Sequence, residues 1–253
     1  MAVNQINFYS EALGKYTCAN VILPLPKHAG SARKPLPALI LLHGMGDDFS
    51  SWMRRTAVER YALQAGLAVI MPDGALSCYE NMAHGQNYRD FIAEELPLVM
   101  RGCFPLSGER EENFIAGCSM GGCGALKLGL RYPEKWSAIG AFSGAHLEYR
   151  PPSPRNQAMI HNSFGDGLID ADMQIEKNAA NPDKPPLKIW QACGDGDVLK
   201  DTVLESRAFL EQQPGIDYHF EMLPGQHDWA LWDEMIRRFI VDLKLPEPEV
   251  RLL

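Results

Sequence analysis

The apolar residues of this chain fall into short continuous runs that alternate with segments of helical spacing. Uninterrupted runs of strand length predict strands that are buried on both faces, and they lie at 38–42, 67–71, 114–118, 138–142 and 187–193, with a last strand at 218–223. Apolar positions three and four residues apart predict the helices between them, at 51–64, 88–103, 125–130, 202–212 and 232–243. Two segments rich in strand formers, 6–10 and 16–23, predict an antiparallel pair at the sheet edge.

Buried strands that alternate with helices predict a mostly parallel central sheet with helices on both faces, in one α/β domain over residues 1–253. Ser51 is expected to cap the helix at 51–64, and Pro97 is expected to kink the helix at 88–103. Prolines mark a surface loop between residues 24 and 37. Ligands of such sheets bind beyond the carboxyl ends of the strands, so we look there for functional side chains.

The composition of the chain argues against binding to nucleic acid, insertion into a membrane and a metal site. The chain has 24 basic and 32 acidic residues and no dense Lys/Arg cluster, so a nucleic-acid surface is not expected. No apolar run approaches the roughly 20 residues of a membrane helix, and the N-terminus lacks the form of a signal peptide. We therefore expect a cytoplasmic protein in which the thiols of Cys118, Cys123 and Cys193 are buried and reduced. The spacing of the six cysteines matches no zinc site, and no metal is expected.

The segment 113–124 contains Gly117, Ser119 and Gly121 in the pattern Gly-x-Ser-x-Gly, between a predicted strand and a predicted helix. A sharp strand-to-helix turn strains its corner residue and needs small neighbours, so that the corner side chain stands clear of the sheet at a helix N-terminus. The glycines alone could serve only close packing of the helix on the sheet. They do not account for the serine, which in this position is typical of an activated nucleophile.

A serine nucleophile needs a general base and an acid that orients it. His227 follows the last strand and immediately precedes the last helix, which is the position expected for the base. The preceding strand ends at two candidate acids, Asp195 and Asp197. We favour Asp197, because the following Val198-Leu199 could pack it inward, whereas Asp195 between two glycines is typical of a turn.

Two backbone N–H groups should bind the oxyanion that forms during acyl transfer. Met120 directly follows the nucleophile, and the loop His43-Gly-Met-Gly46 offers Met45 as the second donor. His43 itself is expected to stabilise this loop rather than to transfer protons.

Motifs along nearly the whole chain resemble the putative-esterase (esterase D-like) family of α/β hydrolases, and most of all its tributyrin and acetyl esterase group. The matching segments are Ile6-Asn-Phe-Tyr-Ser10, Leu42-His-Gly-Met45, Ser51-Trp52, Glu94-Glu-Leu-Pro97, Phe114-Ile-Ala-Gly117 with Ser119-Met-Gly-Gly122, Phe142-Ser-Gly144, Cys193-Gly-x-x-Asp197 and Gly225-x-His227 with Trp229. The resemblance implies an α/β-hydrolase fold, Ser119, Asp197 and His227 as catalytic triad, and Met45 and Met120 as amide donors. Cys118, Cys123 and a divergent segment at 145–186 depart from the family pattern.

The resulting prediction is a serine carboxylesterase that hydrolyses short acyl esters, acetyl to butyryl, including acetylated sugars, without a cofactor. Trp52, Tyr79 and Trp229 are candidate pocket residues, and the proline-bracketed segment 145–186 is expected to be an insertion with one or two short helices over the active site. The alternatives are an S-formylglutathione-type thioesterase, a hydroxycinnamoyl (feruloyl) esterase, an acyltransferase and a non-catalytic scaffold. The expected partner is a small ester, and the family is compatible with a homo-oligomer.

Overall fold

Eight strands form one sheet within residues 1–25, 34–146, 154 and 156–246, which the computed structural model describes. In chain order they are β1 Ala2–Ser10, β2 Lys15–Leu23, β3 Ala38–Leu42, β4 Ala68–Pro72, β5 Asn113–Cys118, β6 Ala138–Phe142, β7 Leu187–Gly194 and β8 Ile216–Leu223. Their spatial order is β1-β2-β4-β3-β5-β6-β7-β8. The β1–β2 and β2–β4 pairs are antiparallel and all other pairs are parallel. The predicted mostly parallel sheet with an antiparallel edge pair is confirmed.

Helices cover both faces of this sheet. They are α1 Ser51–Arg55, α2 Val58–Ala65, α3 Tyr88–Asp90, α4 Leu96–Cys103, α5 Met120–Arg131, α6 Gln157–Phe164, α7 Leu168–Ala180, α8 Lys200–Leu210 and α9 Trp229–Asp242. Side chains alternate across a strand, so β3 contributes to two apolar layers. Leu39 and Leu41 belong to the layer formed with α1, α2 and α9, and Ile40 and Leu42 belong to the layer formed with α4 and α5.

The single helix predicted at 51–64 is wrong, because the chain breaks between α1 and α2 at Thr56. The Thr56 N–H still donates to Trp52 O at 3.1 Å, but the next N–H group has a distant acceptor: Ala57 N donates to Asp233 Oδ1 of α9 at 2.8 Å. The N-cap position of α1 is occupied by Ser50, and the predicted cap Ser51 is the first helical residue.

The kink predicted at Pro97 takes the form of a change in helix winding. A π-helical turn at Phe91–Glu95 separates α3 from α4, and Pro97 lies in the first turn of α4. Proline cannot donate a backbone hydrogen bond to the preceding turn, so the irregularity precedes it. The turn also positions Glu95, whose carboxylate accepts hydrogen bonds from the Ser10 hydroxyl and from the N–H of Glu11 at 2.8 Å. This contact ties the helix to the β1–β2 hairpin.

One or two short helices are expected between residues 145 and 186, and the structure has two, of which α6 is short with 8 residues and α7 is longer than expected with 13. Residues 147–153 and 155 of that segment, among them Pro151 and Pro152, lie outside the described residues, as do residues 26–33 of the predicted surface loop. Two backbone hydrogen bonds join α6 to the β4–α3 loop: Ala83 N donates to Ser163 O at 3.0 Å, and His84 N donates to Asn162 O at 2.8 Å. None of the helices in the described ranges combines the length and apolar character required to cross a bilayer.

Candidate active site

Ser119 occupies the corner between β5 and α5 in a strained backbone conformation, with φ 52° and ψ −120°. The two glycines of the motif make this corner feasible. A Cβ added to Gly117 would lie 2.5 Å from the backbone of Gly121, and a Cβ added to Gly121 would lie 2.5 Å from Leu42 O. Strand, helix and the end of β3 therefore meet at a distance that only glycine permits, and the serine side chain is lifted to the carboxyl edge of the sheet.

The structure brings Ser119, His227 and Asp197 into one hydrogen-bonded series. Ser119 Oγ lies 2.9 Å from His227 Nε2. His227 Nδ1 lies 2.9 Å and 3.1 Å from the two carboxylate oxygens of Asp197. The Asp197 side chain is fully buried and the His227 side chain is 21% exposed. Such an arrangement can remove the proton of the serine hydroxyl and stabilise the imidazolium that results.

The environment of Asp197 favours its charged form. Burial alone would raise its pKa, but hydrogen bonds from His227, Ser143 and the backbone of Leu199 outweigh burial and hold the pKa below the ordinary value. The structural reason proposed from sequence is only partly right, since Val198 is 84% exposed and does not pack inward. What holds the carboxylate is the Leu199 N–H, which donates to Asp197 Oδ1 at 2.8 Å.

Asp195 has a different place. Its Oδ1 accepts a hydrogen bond from Gly225 N at 3.0 Å, which joins the β7–α8 loop to the loop that carries His227. The structure therefore gives Asp195 a turn-stabilising position and leaves Asp197 as the carboxylate against His227.

Ser143 belongs to the site although residue-by-residue reasoning did not single it out. It follows β6 with φ 50°, it is fully buried, and its Oγ accepts a hydrogen bond from Trp232 Nε1 at 3.0 Å. The same hydroxyl hydrogen-bonds Asp197. The available signal was a polar residue directly after a buried strand at the carboxyl edge of the sheet, within the segment Phe142-Ser-Gly144.

The loop after β3 lies against the nucleophile. A Cβ on Gly44 would be 3.6 Å from Ser119 Cβ, so the backbone leading to Met45 borders Ser119, and Met120 directly after Ser119 begins α5. His43 stabilises this loop: its Nδ1 is 2.8 Å from Gly44 O, and its Nε2 accepts from Gly74 N at 2.8 Å. Both ring nitrogens are thus engaged in holding the loop.

Trp52 and Tyr79 do not lie in a pocket. Trp52 is 1% exposed and donates from Nε1 to Leu42 O at 3.0 Å, and Tyr79 is fully buried and donates from its hydroxyl to His43 O at 2.8 Å. Neither side chain presents surface to a ligand, so their assignment as pocket residues is corrected to core. Trp229 is half-buried, and its ring lies 5.1 Å from that of Trp232, which packs 5.0 Å from His227.

The buried ammonium group of Lys127 in α5 binds residues of the β4–α3 loop. Lys127 of α5 is 3% exposed, donates from Nζ to Cys78 O at 2.6 Å, and lies 3.5 Å from Glu80. Glu80 is also 3.6 Å from the Arg89 guanidinium. These contacts fix the loop whose outer part faces α6.

No metal-binding group of three or more His, Cys, Asp or Glu side chains occurs in the described part of the chain. Cys118, Cys123 and Cys193 are buried, as predicted. Burial raises the pKa of the Cys193 thiol to about 12, which leaves it protonated and unreactive at neutral pH.

Comparison with known proteins agrees with this architecture. A family model described as "Putative esterase" matches residues 10–242. The acetyl esterase of Caldicellulosiruptor saccharolyticus is 33% identical over 255 residues, which cover 93% of this chain and 96% of that protein. The structure of FphF, a fluorophosphonate-binding serine hydrolase of Staphylococcus aureus with substrate bound, is 33% identical with a TM-score of 0.77. The S-formylglutathione hydrolase FrmB of Staphylococcus aureus, an apoenzyme, is 34% identical with a TM-score of 0.77, and both structural comparisons cover 96% of this chain and 98% of the other. The expected α/β-hydrolase fold is confirmed.

Proposed function

We propose that this chain, which belongs to the putative esterase family and is a carboxylic ester hydrolase, cleaves short acyl esters by serine catalysis. The proposed acyl range is acetyl to butyryl, with acetylated sugars among the substrates. The observation that carries the proposal is the contact series from Ser119 Oγ through His227 to the Asp197 carboxylate. The likeness to an acetyl esterase supports the short acyl group.

In the proposed mechanism Ser119 Oγ attacks the ester carbonyl carbon while His227 Nε2 takes the hydroxyl proton. Asp197 holds the Nδ1–H tautomer and stabilises the imidazolium, which its lowered pKa supports. The imidazolium then protonates the leaving alcohol as the carbon–oxygen bond breaks, and an acyl group remains on Ser119. Water, activated by His227, attacks this acyl-enzyme and releases the acid, and the proton returns to Ser119 Oγ.

The oxyanion of each tetrahedral intermediate is proposed to rest on the backbone N–H groups of Met45 and Met120. Two observations support these donors: the Gly44 backbone borders Ser119, and Met120 is the first residue of α5. The positive end of the α5 dipole adds to the stabilisation of negative charge at this point.

We extend the proposal to the organisation of the chain as one domain over residues 1–253, with 145–186 as an insertion over the active site. The continuous sheet and the hydrogen bonds from α6 to the β4–α3 loop support it. We also propose a cytoplasmic location, in keeping with the free thiols of the six cysteines.

A thioesterase activity on S-formylglutathione is the second candidate. The 34% identity to the S-formylglutathione hydrolase of Staphylococcus aureus favours it, and the serine mechanism is the same for an ester and a thioester. The two candidates differ in the leaving group, an alcohol or a thiol, and in the acyl group, acetyl to butyryl or formyl, so a direct comparison of substrates separates them.

The test is a series of initial rates on p-nitrophenyl esters from acetate to octanoate, with S-formylglutathione in parallel. Ser119→Ala should lower kcat by about 10⁴-fold or more, because the acyl-enzyme can no longer form. Asp197→Asn should lower kcat by about 10⁴-fold. Asp195→Asn serves as the matched control and should change kcat by less than about threefold, since Asp195 accepts from Gly225 N and its Oδ1 acceptor remains in asparagine.

Activity that peaks at short acyl chains and disappears in Ser119→Ala would support the proposal. A folded wild-type protein inactive on all esters and thioesters would refute it. An Asp195→Asn loss as large as that of Asp197→Asn would refute the assignment of the acid.

A further inference from the structure

A cavity of about 450 Å³ opens to solvent beside the loop that carries Met45. Three parts of the chain form its walls: residues 46–47 of that loop, the β4–α3 loop, and helix α6. The apolar part of the lining consists mainly of Ala75, Leu76, Met82, Ala158 and Met159. The cavity is therefore a recess with a largely apolar surface, and Gly46 and Asp47 connect it to the loop that borders Ser119.

Asp47 is the one residue with a charged side chain among the described residues that line this cavity. A Cβ on Gly44 would lie 3.2 Å from Asp47 Oδ2 and 3.6 Å from Ser119 Cβ. These two distances keep the carboxylate within about 7 Å of Ser119 Cβ, where Coulomb interactions with a bound substrate are strong. Asp47 thus lines the cavity and carries its charge close to the reacting serine.

The surroundings of Asp47 leave its charge incompletely balanced. Burial raises the pKa of the carboxyl group, and His43, the Ser51 hydroxyl and Arg55 lower it by less than burial raises it. The neighbouring Asp48 adds a second negative charge, although Arg54 lies 3.5 Å from it. No lysine or arginine lines the described cavity wall to receive an anionic group.

We propose that Asp47 is a specificity-determining residue that disfavours anionic substrates, so that the enzyme prefers neutral esters whose apolar group occupies the cavity. A substrate carboxylate entering the recess would lose hydration and approach Asp47 without a compensating cation in the lining. Glutathione carries two carboxylates and one ammonium, so its thioesters fall in the disfavoured class. This inference rests on the proposed esterase function and names the substrate class of the same site.

The experiment measures kcat/KM for two pairs of substrates that differ in charge. On the acyl side the pair is p-nitrophenyl butyrate and the p-nitrophenyl monoester of glutaric acid. On the leaving-group side it is S-acetyl-N-acetylcysteamine and S-acetylglutathione. Both pairs are measured with wild type, with Asp47→Asn, and with the matched control Glu94→Gln. Glu94 pairs with Lys135 at 2.6 Å and shares a separate cavity with the first residues of β3 and β5, at the opposite edge of the sheet.

Asp47→Asn should raise the anionic-to-neutral ratio of kcat/KM by about three- to tenfold in at least one pair, because it removes the repulsion and keeps the side-chain shape. The pair that responds identifies whether the acyl or the leaving group enters the cavity. Glu94→Gln should leave both ratios within about twofold of wild type, because that charge is paired with Lys135 and lies at the opposite edge of the sheet from Ser119. Raising NaCl from about 0.05 M to about 0.5 M should raise the wild-type ratio through screening.

Unchanged ratios in both pairs for Asp47→Asn, or an equal change in Glu94→Gln, would overturn the inference. If Asp47→Asn does not fold, the wild-type salt series decides, and a ratio that does not respond to salt overturns it. Wild-type protein inactive on both neutral substrates would overturn the esterase proposal and this inference with it. If the neutral substrates are hydrolysed but the anionic-to-neutral ratio of kcat/KM responds neither to Asp47→Asn nor to salt, this inference alone is overturned.

Discussion

Replacing Ser143 by alanine tests whether Asp197 is held by more than its contact with His227. The Ser143 hydroxyl accepts from Trp232 Nε1 at 3.0 Å and hydrogen-bonds Asp197, whose pKa it helps to lower. Ser143 has φ 50°, and alanine meets the same steric cost in this left-handed region. The substitution therefore removes the hydroxyl without altering the backbone preference.

The expected loss is about 2–4 kcal/mol of unfolding free energy at pH 7. A hydrogen bond to a charged acceptor contributes about 1.5–3 kcal/mol, and a buried N–H without an acceptor costs about 1–3 kcal/mol. Both groups are shielded from water, since Ser143 and the Asp197 side chain are fully buried and Trp232 is 5% exposed. We expect less than the full sum because neighbouring energies are not additive.

The pH dependence separates the two parts of this loss. A carboxyl group whose pKa is lowered in the folded state stabilises the fold above its unfolded pKa, near 3.8, and this stabilisation is lost as pH falls through the folded value. Ser143→Ala weakens the lowering, so its deficit relative to wild type should be largest at pH 7 and smaller at about pH 3. Urea unfolding at the two pH values measures it. On p-nitrophenyl acetate we expect kcat/KM to fall about tenfold, because Asp197 orients His227 less well.

Trp232→Phe is the matched control, since it removes the N–H donor and leaves the contact between Ser143 and Asp197. Its deficit should be the same at both pH values. A Ser143→Ala deficit below about 0.5 kcal/mol with unchanged kcat/KM would refute the reasoning. A pH-independent deficit in Ser143→Ala would assign the cost to the Trp232 contact alone.

Three further substitutions have definite expected outcomes. Gly121→Ala should lower the free energy of unfolding by more than about 3 kcal/mol and abolish hydrolysis, because its Cβ would lie 2.5 Å from a backbone oxygen of β3. The control Gly102→Ala, with no atom within 4 Å, should raise the free energy of unfolding by about 0.5–1 kcal/mol. Urea midpoints compare the two variants, and equal effects would contradict the packing argument. Lys127→Met removes the cation that lies 3.5 Å from the buried Glu80 carboxylate and leaves Arg89 beside it. The free energy of unfolding, measured by thermal denaturation, should fall by about 2–3 kcal/mol. A fall below about 0.5 kcal/mol would show that the Lys127–Glu80 pair is not stabilising. Arginines of α9 hold the pKa of Glu234 at about 2, so the stabilisation by its carboxylate is present above pH 4.5 and is lost as pH falls from 4.5 to 2. Because this carboxylate is 37% exposed, it should contribute under about 1 kcal/mol to the free energy of unfolding. Glu234→Gln should flatten that part of the curve of stability against pH.

The sheet was predictable because its signal is local. Strands β3 and β6 have the bounds predicted from their apolar runs, since a strand covered on both faces needs no polar residue until it leaves the sheet. The Ser119 corner was predictable for a related reason. Gly117 and Gly121 stand at positions where only glycine permits the close approach of three backbone segments.

The break between α1 and α2 could not be read from its own segment. The N–H of Ala57 finds its acceptor on Asp233, and the hydroxyl of Tyr61 lies 3.1 Å from the same carboxylate. A capping group 176 residues away leaves no trace in the local pattern of apolar and polar residues. The π-helical turn is similar, because Glu95 is fixed by the β1–β2 hairpin rather than by its neighbours in sequence.

Aromatic side chains near the site were harder to place than titratable ones. Trp52 and Tyr79 are adjacent to functional segments, but both are buried in the core, where a backbone carbonyl accepts a hydrogen bond from the polar group of each side chain. Sequence does not reveal which carbonyls will be available inside the fold. The packing argument that favours Asp197 in the sequence is contradicted by the exposure of Val198, although the structure does place Asp197 against His227.

The three indole rings beside His227 have an optical consequence. Trp52, Trp229 and Trp232 form a chain of edge-to-face contacts with centroid distances of 5.0 Å and 5.1 Å, and His227 packs against the last of them at 5.0 Å. Indoles this close couple their electronic transitions, so they should dominate the near-ultraviolet circular dichroism of the protein. An imidazolium quenches the emission of an adjacent indole more strongly than a neutral imidazole does. The intrinsic fluorescence of this chain should therefore change when an acyl group occupies the neighbouring Ser119, so that the reaction can be followed in real time without a label.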